Sequence, residues 1–206
     1  MLNVQLPYTE PLTGRVTTSE PFTEAHIPAL KQIAYAFPDE FALTSTPAND
    51  EQAERYFGAA FTDQASGRAH PVVVKSIATG EVLGMSRITE IHAHHKRGEI
   101  GFTWFHPKVF GTAINIDSKL QLLGFAFEQL GMIRIQLHTD PKNIRSQRAI
   151  LALGAHFEGI AKRHMYTKHG QVRDSLIYAI TDESWPYAKT KLTDRLERRL
   201  ATAATG

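Results

Sequence analysis

Apolar side chains recur along this chain at two spacings, one helical and one strand-like. Ile27, Leu30, Ile33 and Ala34 share one stripe, so the segment behind a Thr23 cap reads as a helix that ends before Pro38. Ala53, Tyr56, Phe57 and Ala60 make a second stripe, with Asn49 or Asp50 as its cap. Ile116, Leu120, Leu123, Phe127 and Leu130 give the clearest helix, followed by Gly131 where a C-terminal glycine belongs. Residues 143–153 read as a helix closed by Gly154. Trp185, Ala188, Leu192 and Leu196 lie on one face of a last helix over 185–200, and residues 201–206 are expected to fray.

Between these stripes the pattern is extended. Residues 12–22 read as an opening strand kinked at Gly14. Residues 70–78 alternate around Val72, Val74 and Ile77, turn at Thr79-Gly80, and return over 82–91. A polar loop over 92–97 leads into a strand over 99–105, which Pro107 ends. Residues 133–139 form another strand, and 156–166 with 171–180 form a hairpin around His169-Gly170. Residues 1–11, with Pro7 and Pro11, are read as an extension wrapping the surface. Helices and strands mix without strict alternation, which predicts an α+β fold, a mixed sheet covered by helices, and excludes a doubly wound parallel sheet.

Composition narrows the picture. The 206 residues suit one domain, and 42% hydrophobic with 21% charged residues is the balance of a folded, soluble chain. The formal charge of +2 comes with no basic block, so nucleic acid is not an expected partner. Arg195, Arg198 and Arg199 fit the charged outer face of the last helix. The absence of cysteine excludes disulfides, thiolate metal sites and a covalent cysteine intermediate, and fits a reducing cytoplasm. The first residues lack a signal-peptide pattern, and no apolar run approaches the roughly 20 residues of a membrane span. His92, His94 and His95 cluster, but no further ligand set accompanies them. They read as a solvated or substrate-facing loop, and no metal is expected.

Candidate chemistry concentrates where the strand at 99–105 passes through HPKVFGTAIN into the long helix. A loop entering a helix through Gly111, Thr112 and Ala113 presents successive backbone amides and the positive end of the helix dipole, which suits a pyrophosphate. Asp117, read as lying in the first helical turn, suits the dipole and slightly repels such an anion. The loop is neither a Walker sequence nor G-x-G-x-x-G.

Farther along come Thr139-Asp140, then Asn143-Ile144-Arg145-Ser146, Leu153-Gly154-Ala155, Phe157-Glu158-Gly159, Arg173-Asp174 and Trp185-Pro186. In this order and spacing the set resembles the GNAT acetyltransferase superfamily, and within it the RimJ/RimL-like subgroup, whose best-known members acetylate N-terminal amines of ribosomal proteins. The resemblance covers roughly residues 12–200 and implies the GNAT fold, with a mostly antiparallel, splayed sheet. It implies acetyl-CoA as co-substrate and direct transfer to an amine acceptor, either a protein N-terminus or a small molecule. A non-catalytic acyl-CoA-binding or sensor domain of the same fold is the alternative. A homodimer is a further expectation.

The resemblance also assigns residues. The phosphate loop runs over Lys108, Val109, Phe110, Gly111, Thr112 and Ala113, with Lys108 where the family has Arg or Gln. Backbone amides from Phe110 to Ala113 would hold the pyrophosphate, and Asn115 matches an Asn common after the loop. The pantetheine arm would follow the backbone of Trp104 and Phe105, with Asn143 and Ser146 beside it. Lys142 and Arg148 could meet the ribose phosphate or adenine. Glu99 is the candidate base, acting through water, with a histidine of the 92–95 loop as the other possibility. The Tyr that many members carry as proton donor is replaced by Ile150, which leaves Ser146, water or solvent to protonate the thiolate. Arg163, Arg173 and Asp174 are read as a structural ion pair, with Arg163 also placed to face the acceptor.

Overall fold

The computed structural model describes residues 9–204, so most of the N-terminal extension and the last two residues lie outside the described part. Its strands are β1 (Leu12–Thr13), β2 (Thr17–Pro21), β3 (His70–Ser76), β4 (Val82–His92), β5 (Arg97–Phe105), β6 (Arg134–Thr139), β7 (His156–Tyr166) and β8 (Val172–Thr181). They form one open sheet in the order β1-β2-β3-β4-β5-β6-β8-β7. Every neighbouring pair is antiparallel except β5 and β6. The mixed, mostly antiparallel sheet expected from the sequence is the one observed.

The helices are α1 (Ile27–Ala36), α2 (Asp50–Ala65), α3 (Ala113–Gly124), α4 (Ile144–Leu151) and α5 (Trp185–Ala204). They cover the two faces separately. Leu30, Ile33 and Ala34 of α1 and Ala53, Phe57 and Ala60 of α2 bury themselves with Phe22, Val73, Met85 and Trp104. On the other face Ile116, Leu122 and Leu123 of α3 and Leu192 and Leu196 of α5 pack with Ile88, Ile100, Ile135 and Leu137. Alternation along β5 and β6 therefore assigns a face to each residue: Ile100 and Leu137 look to α3, and their neighbours look to the opposite side.

Several elements differ from the pattern-based reading. The opening strand is two short strands, because Gly14 and its neighbours turn over the carboxylate of Asp117. This carboxylate accepts from the backbone N–H of Arg15 (3.0 Å), Val16 (2.9 Å) and Thr17 (2.9 Å), and from Thr17 Oγ1 (2.8 Å). A Cβ at position 14 would collide with Asp117 and with the Gln121 amide. Asp117 is thus buried at the sheet's far edge and is occupied there, not at the anion loop. Strand β3 stops at Ser76, and Ile77, expected inside, is 47% exposed. Helix α3 begins at Ala113 and widens into a π-helical turn over Phe125–Gln129, closed by Leu130 N–H on the Phe125 carbonyl (3.0 Å). The widened turn lets Phe125, Ala126 and Phe127 all be buried, with Phe127 stacked on Trp185 at 5.3 Å. Helix α5 continues through Ala204 where fraying was expected, with Leu200 against the core.

Asp117→Ala is expected to lower unfolding stability by on the order of 3 kcal/mol in urea titrations. It strands three backbone donors in a closed site, and each buried unsatisfied donor costs about 1–3 kcal/mol.

Candidate active site

The parallel pairing of β5 with β6 is short. It consists of Arg97↔Arg134, Gly98↔Ile135 and Glu99↔Gln136, although β5 continues to Phe105 and β6 to Thr139. Beyond Glu99 the strands part and leave a cleft of about 1260 Å³. One lip is the end of β5 with the loop into α3, and the other is the end of β6 with α4.

On the first lip, Pro107–Val109 form a 3-10 turn and Gly111 takes φ +75°, a conformation glycine enters without a Cβ clash. Thr112 caps α3, receiving Ile114 N–H on Oγ1 (3.3 Å) and donating to the Val109 carbonyl (2.7 Å). The N–H groups of Phe110 and Thr112, expected to face an anion, are used inside the loop by the Pro107 (3.0 Å) and Val109 (3.3 Å) carbonyls. Among the described residues, the N–H groups of Gly111 and Ala113, at the start of α3, find no acceptor. Lys108 reaches away from the loop to an ion pair with Glu81. Asn115 lines the cleft one turn into α3.

On the second lip, Asn143 caps α4 by accepting Ser146 N–H (3.0 Å), and the half-buried Ser146 lines the cleft. Arg148 is exposed and turned off the cleft, because two residues along a helix rotate it about 200° from Ser146. Arg145 lines the cleft instead. Its guanidinium bonds the Glu40 carboxylate (2.6 Å) and carbonyl (2.8 Å) and lies 4.1 Å over the Phe110 ring, so it spans from α4 to the opposite loop. Ile150 is buried in the core.

Deeper in, β5 carries a bulge. Arg87 pairs with Gly101 and Met85 with Trp104, so β5 has one residue too many between them. Phe102 absorbs it at φ +52°, a left-handed conformation that is costly for an aromatic residue. Tyr56 and Arg87 hold it there. The Tyr56 hydroxyl accepts Trp104 Nε1–H (3.0 Å) and donates to the Phe102 carbonyl (3.4 Å). The Arg87 guanidinium sits 4.1 Å from the Tyr56 ring and 4.5 Å from the Phe102 ring, and donates to the Tyr56 carbonyl (3.0 Å). Trp104 and Phe105 are buried along the cleft wall. The bulge also flips the alternation: Glu99 and Trp104 face α1 and α2, and Thr103 faces α3.

Glu99 is nearly buried at the cleft base, on the α1 and α2 side. Its Oε2 lies 3.0 Å from His138 Nδ1 and 3.3 Å from Gln136 Nε2. The His138 ring meets His164 edge-on at 5.4 Å, and His164 Nδ1 lies 2.9 Å from Ser175 Oγ. Neither histidine stood out in the sequence, since both sit in strands without a motif. Arg173, read as pairing with Asp174, instead faces the cleft, contacting Met165 Sδ (2.7 Å) and the Asp174 carbonyl (3.3 Å). Burial lowers its pKa, and Asp140 and Glu99 oppose the shift. Asp174 is held by Lys162 (2.9 Å) and the Arg163 N–H (2.8 Å). Burial lowers Lys168 as well, and its ammonium reaches the Phe41 (3.0 Å) and Thr46 (3.1 Å) carbonyls, tying the segment between α1 and α2 to the β7–β8 turn over the cleft. Of the 92–95 loop, His92 reaches the cleft mouth, 3.5 Å from Glu90, while His94 and His95 are exposed.

Comparison with known proteins gives this arrangement a context. The family model described as acetyltransferase (GNAT) domain matches residues 18–156. An uncharacterized N-acetyltransferase of Bacillus subtilis, YoaA, is 26% identical over 102 residues, or 50% of this chain and 56% of that protein. The chain thus spans little more than half the length of this curated relative. Mycobacterium smegmatis RimJ in complex with CoA-disulfide superposes with a TM-score of 0.79 at 22% identity, over 91% of this chain and 95% of that one. RimL, a ribosomal L7/L12 alpha-N-protein acetyltransferase, gives 0.73 at 19% identity, over 84% and 94%. At these identities the two structures establish the shared fold.

Tyr56→Phe removes the acceptor of the buried Trp104 indole. It is expected to cost about 1–3 kcal/mol in denaturant unfolding and to shift the tryptophan emission of the folded protein.

Proposed function

We propose that this chain, which belongs to the acetyltransferase (GNAT) domain family, uses the cleft between β5 and β6 to move an acetyl group from acetyl-CoA to a primary amine. The observation that carries this reading is the three-pair parallel ladder, which opens the sheet between the first turns of two helices. The free N–H groups of Gly111 and Ala113, at the positive end of α3, suit a pyrophosphate. Asn115, Asn143 and Ser146 line or cap the walls along which a pantetheine arm would run, beside Trp104 and Phe105. Arg145 lines the cleft in an ion pair with Glu40 and could exchange this carboxylate for a phosphate, while Lys108 is held off the cleft by Glu81.

Acetyl-CoA supplies an activated thioester carbonyl, and the chain's own part is to place it and handle protons. The backbone at the bulge is held rigidly enough by Tyr56 and Arg87 to offer a fixed donor to a developing oxyanion. Glu99 and His138 form a hydrogen-bonded pair on the face opposite α3, where an amine entering beneath the Lys168 strap would give up its proton. This pair replaces Glu99 acting alone, and His138 takes the place considered for a histidine of the 92–95 loop. The likeness to RimJ and RimL supports a peptide N-terminus as the first acceptor to test, ahead of small amines.

The test is free-thiol release from acetyl-CoA over a panel of N-terminal peptides and small amines, beside calorimetric titration with CoA. Binding and turnover are expected, and Glu99→Gln should lower kcat about 10²-fold with CoA affinity unchanged. Tight CoA binding with no turnover on any amine would leave a non-catalytic acyl-CoA-binding domain. No CoA binding would overturn both.

A further inference from the structure

Lys119 of α3 is an amine that the acetyl-transfer site described above leaves unused. This side chain is buried, 4% exposed, in a stretch of α3 whose other inward positions are apolar or occupied. It lies one turn beyond Asn115 on the same helix face, and both residues line the cleft. Its ammonium donates to Ser86 Oγ of β4 (2.9 Å) and to Thr103 Oγ1 of β5 (2.6 Å). Those hydroxyls are 2.7 Å from each other, and Thr103 also reaches the Gly101 carbonyl (3.4 Å) across the bulge.

Among the described residues, no carboxylate forms an ion pair with this amine. From β4 and β5 it meets hydroxyls. On its own helix, Asp117 is committed to the β1–β2 turn. Glu99 and His138 belong to the opposite face of the sheet, since they alternate with Ile100 and Leu137, which pack with α3. A lysine placed in such a site without a carboxylate is not a structural ion pair. Burial alone pushes its pKa down to about 7, so it exchanges its proton near neutrality.

We propose that Lys119, acting through the Thr103 hydroxyl, supplies the proton that the leaving thiolate of CoA requires. This rests on the acetyl-transfer reading and fills the position that Ile150 leaves without a hydroxyl. In the step, the acceptor nitrogen attacks the thioester carbonyl and the N–C bond forms. The C–S bond breaks with its electron pair going to sulfur, and the nitrogen's proton passes to the Glu99–His138 pair. Sulfur takes the Thr103 hydroxyl proton, and Lys119 Nζ replaces it. One proton is then lost to water from Glu99–His138, and one returns from water to Lys119. Base and acid thus act from opposite faces of the splayed sheet, one at each side of the bond being exchanged.

Lys119→Met keeps the side-chain length and leaves Ser86 and Thr103 bonded to each other, so the variant is expected to fold. Folded Lys119 binds fewer protons than the unfolded chain from about pH 7 up to the ordinary lysine range. Wild-type stability should therefore rise with pH through that window and level off below about pH 7, and the variant should lack this slope. With acetyl-CoA, wild-type kcat is expected to decline on the alkaline side as Lys119 loses its proton. Lys119→Met should be about 10²-fold slower with no alkaline decline, and its KM for acetyl-CoA should be unchanged. Thr103→Val, which retains the lysine but cuts the relay, should show the same loss. An acetyl thioester of a more acidic thiol should restore most of the rate in both variants, because its leaving group needs no proton. A folded Lys119→Met with wild-type kcat and pH profile, or an equal loss with both thioesters, overturns the proposal alone. So does an alkaline decline abolished by Ser146→Ala and retained in Lys119→Met. Absence of thiol release from the wild type on every amine overturns the acetyl-transfer reading, and this step with it.

Discussion

The structure depends on a parallel ladder that stops after Glu99. Two parallel strands that stayed paired would close the sheet and leave no room between α3 and α4. By separating after three pairs, β5 and β6 leave backbone unpaired over the length of a cleft, and backbone groups away from water need partners. The partners come from elsewhere. Tyr56 takes the Phe102 carbonyl, Thr103 bonds toward Ser86 and Gly101, and Asp140 caps the turn into α4 by accepting Lys142 N–H at 2.8 Å. The open sheet is stable because residues of α2, β4 and the β6–α4 turn replace the missing rungs.

The bulge in β5 follows from the same constraint. A strand that must display its edge to a ligand and still pack both faces has to change which residues face which side. The extra residue at Phe102 makes this change, and its left-handed backbone is held by an arginine that sits in the corner made by two tilted aromatic rings. Arg87 is itself 2% exposed and lacks a carboxylate partner among the contacts described. Ring faces can hold a desolvated guanidinium, worth about 2 kcal/mol or more when buried.

What could be read from the sequence was what neighbours in sequence determine. The helical stripes of α1, α2 and α5 and the glycine at 111 all depend on residues within a turn or two. The broken first strand did not show, because its cause is Asp117, about a hundred residues away, reaching under Gly14. Ile77 is three residues after Val74, so it breaks the alternation, and it stands past the end of its strand. Arg148 was expected to meet the cofactor's ribose phosphate or adenine, while the helix turned Arg145 toward the cleft. His138 meets Glu99 through parallel pairing, a long-range contact that no local spacing encodes. Lys119 was the hardest to see: a lysine in a helix reads as solvated surface, and only the tertiary structure reveals hydroxyls on both strands where water would be.

Placing Glu99 and Lys119 on opposite faces has a physical consequence. A carboxylate and an ammonium sharing one dry site would pair, each fixing the other's charge, and neither would exchange a proton near neutrality. The sheet keeps them apart: Glu99 keeps a histidine that can relay a proton, and Lys119 keeps only hydroxyls. Thr103 and Glu99 would share a face in a regular strand. The residue inserted at Phe102 turns Thr103 over to α3, so the bulge that shapes the cleft wall also separates the two ends of the proposed proton path.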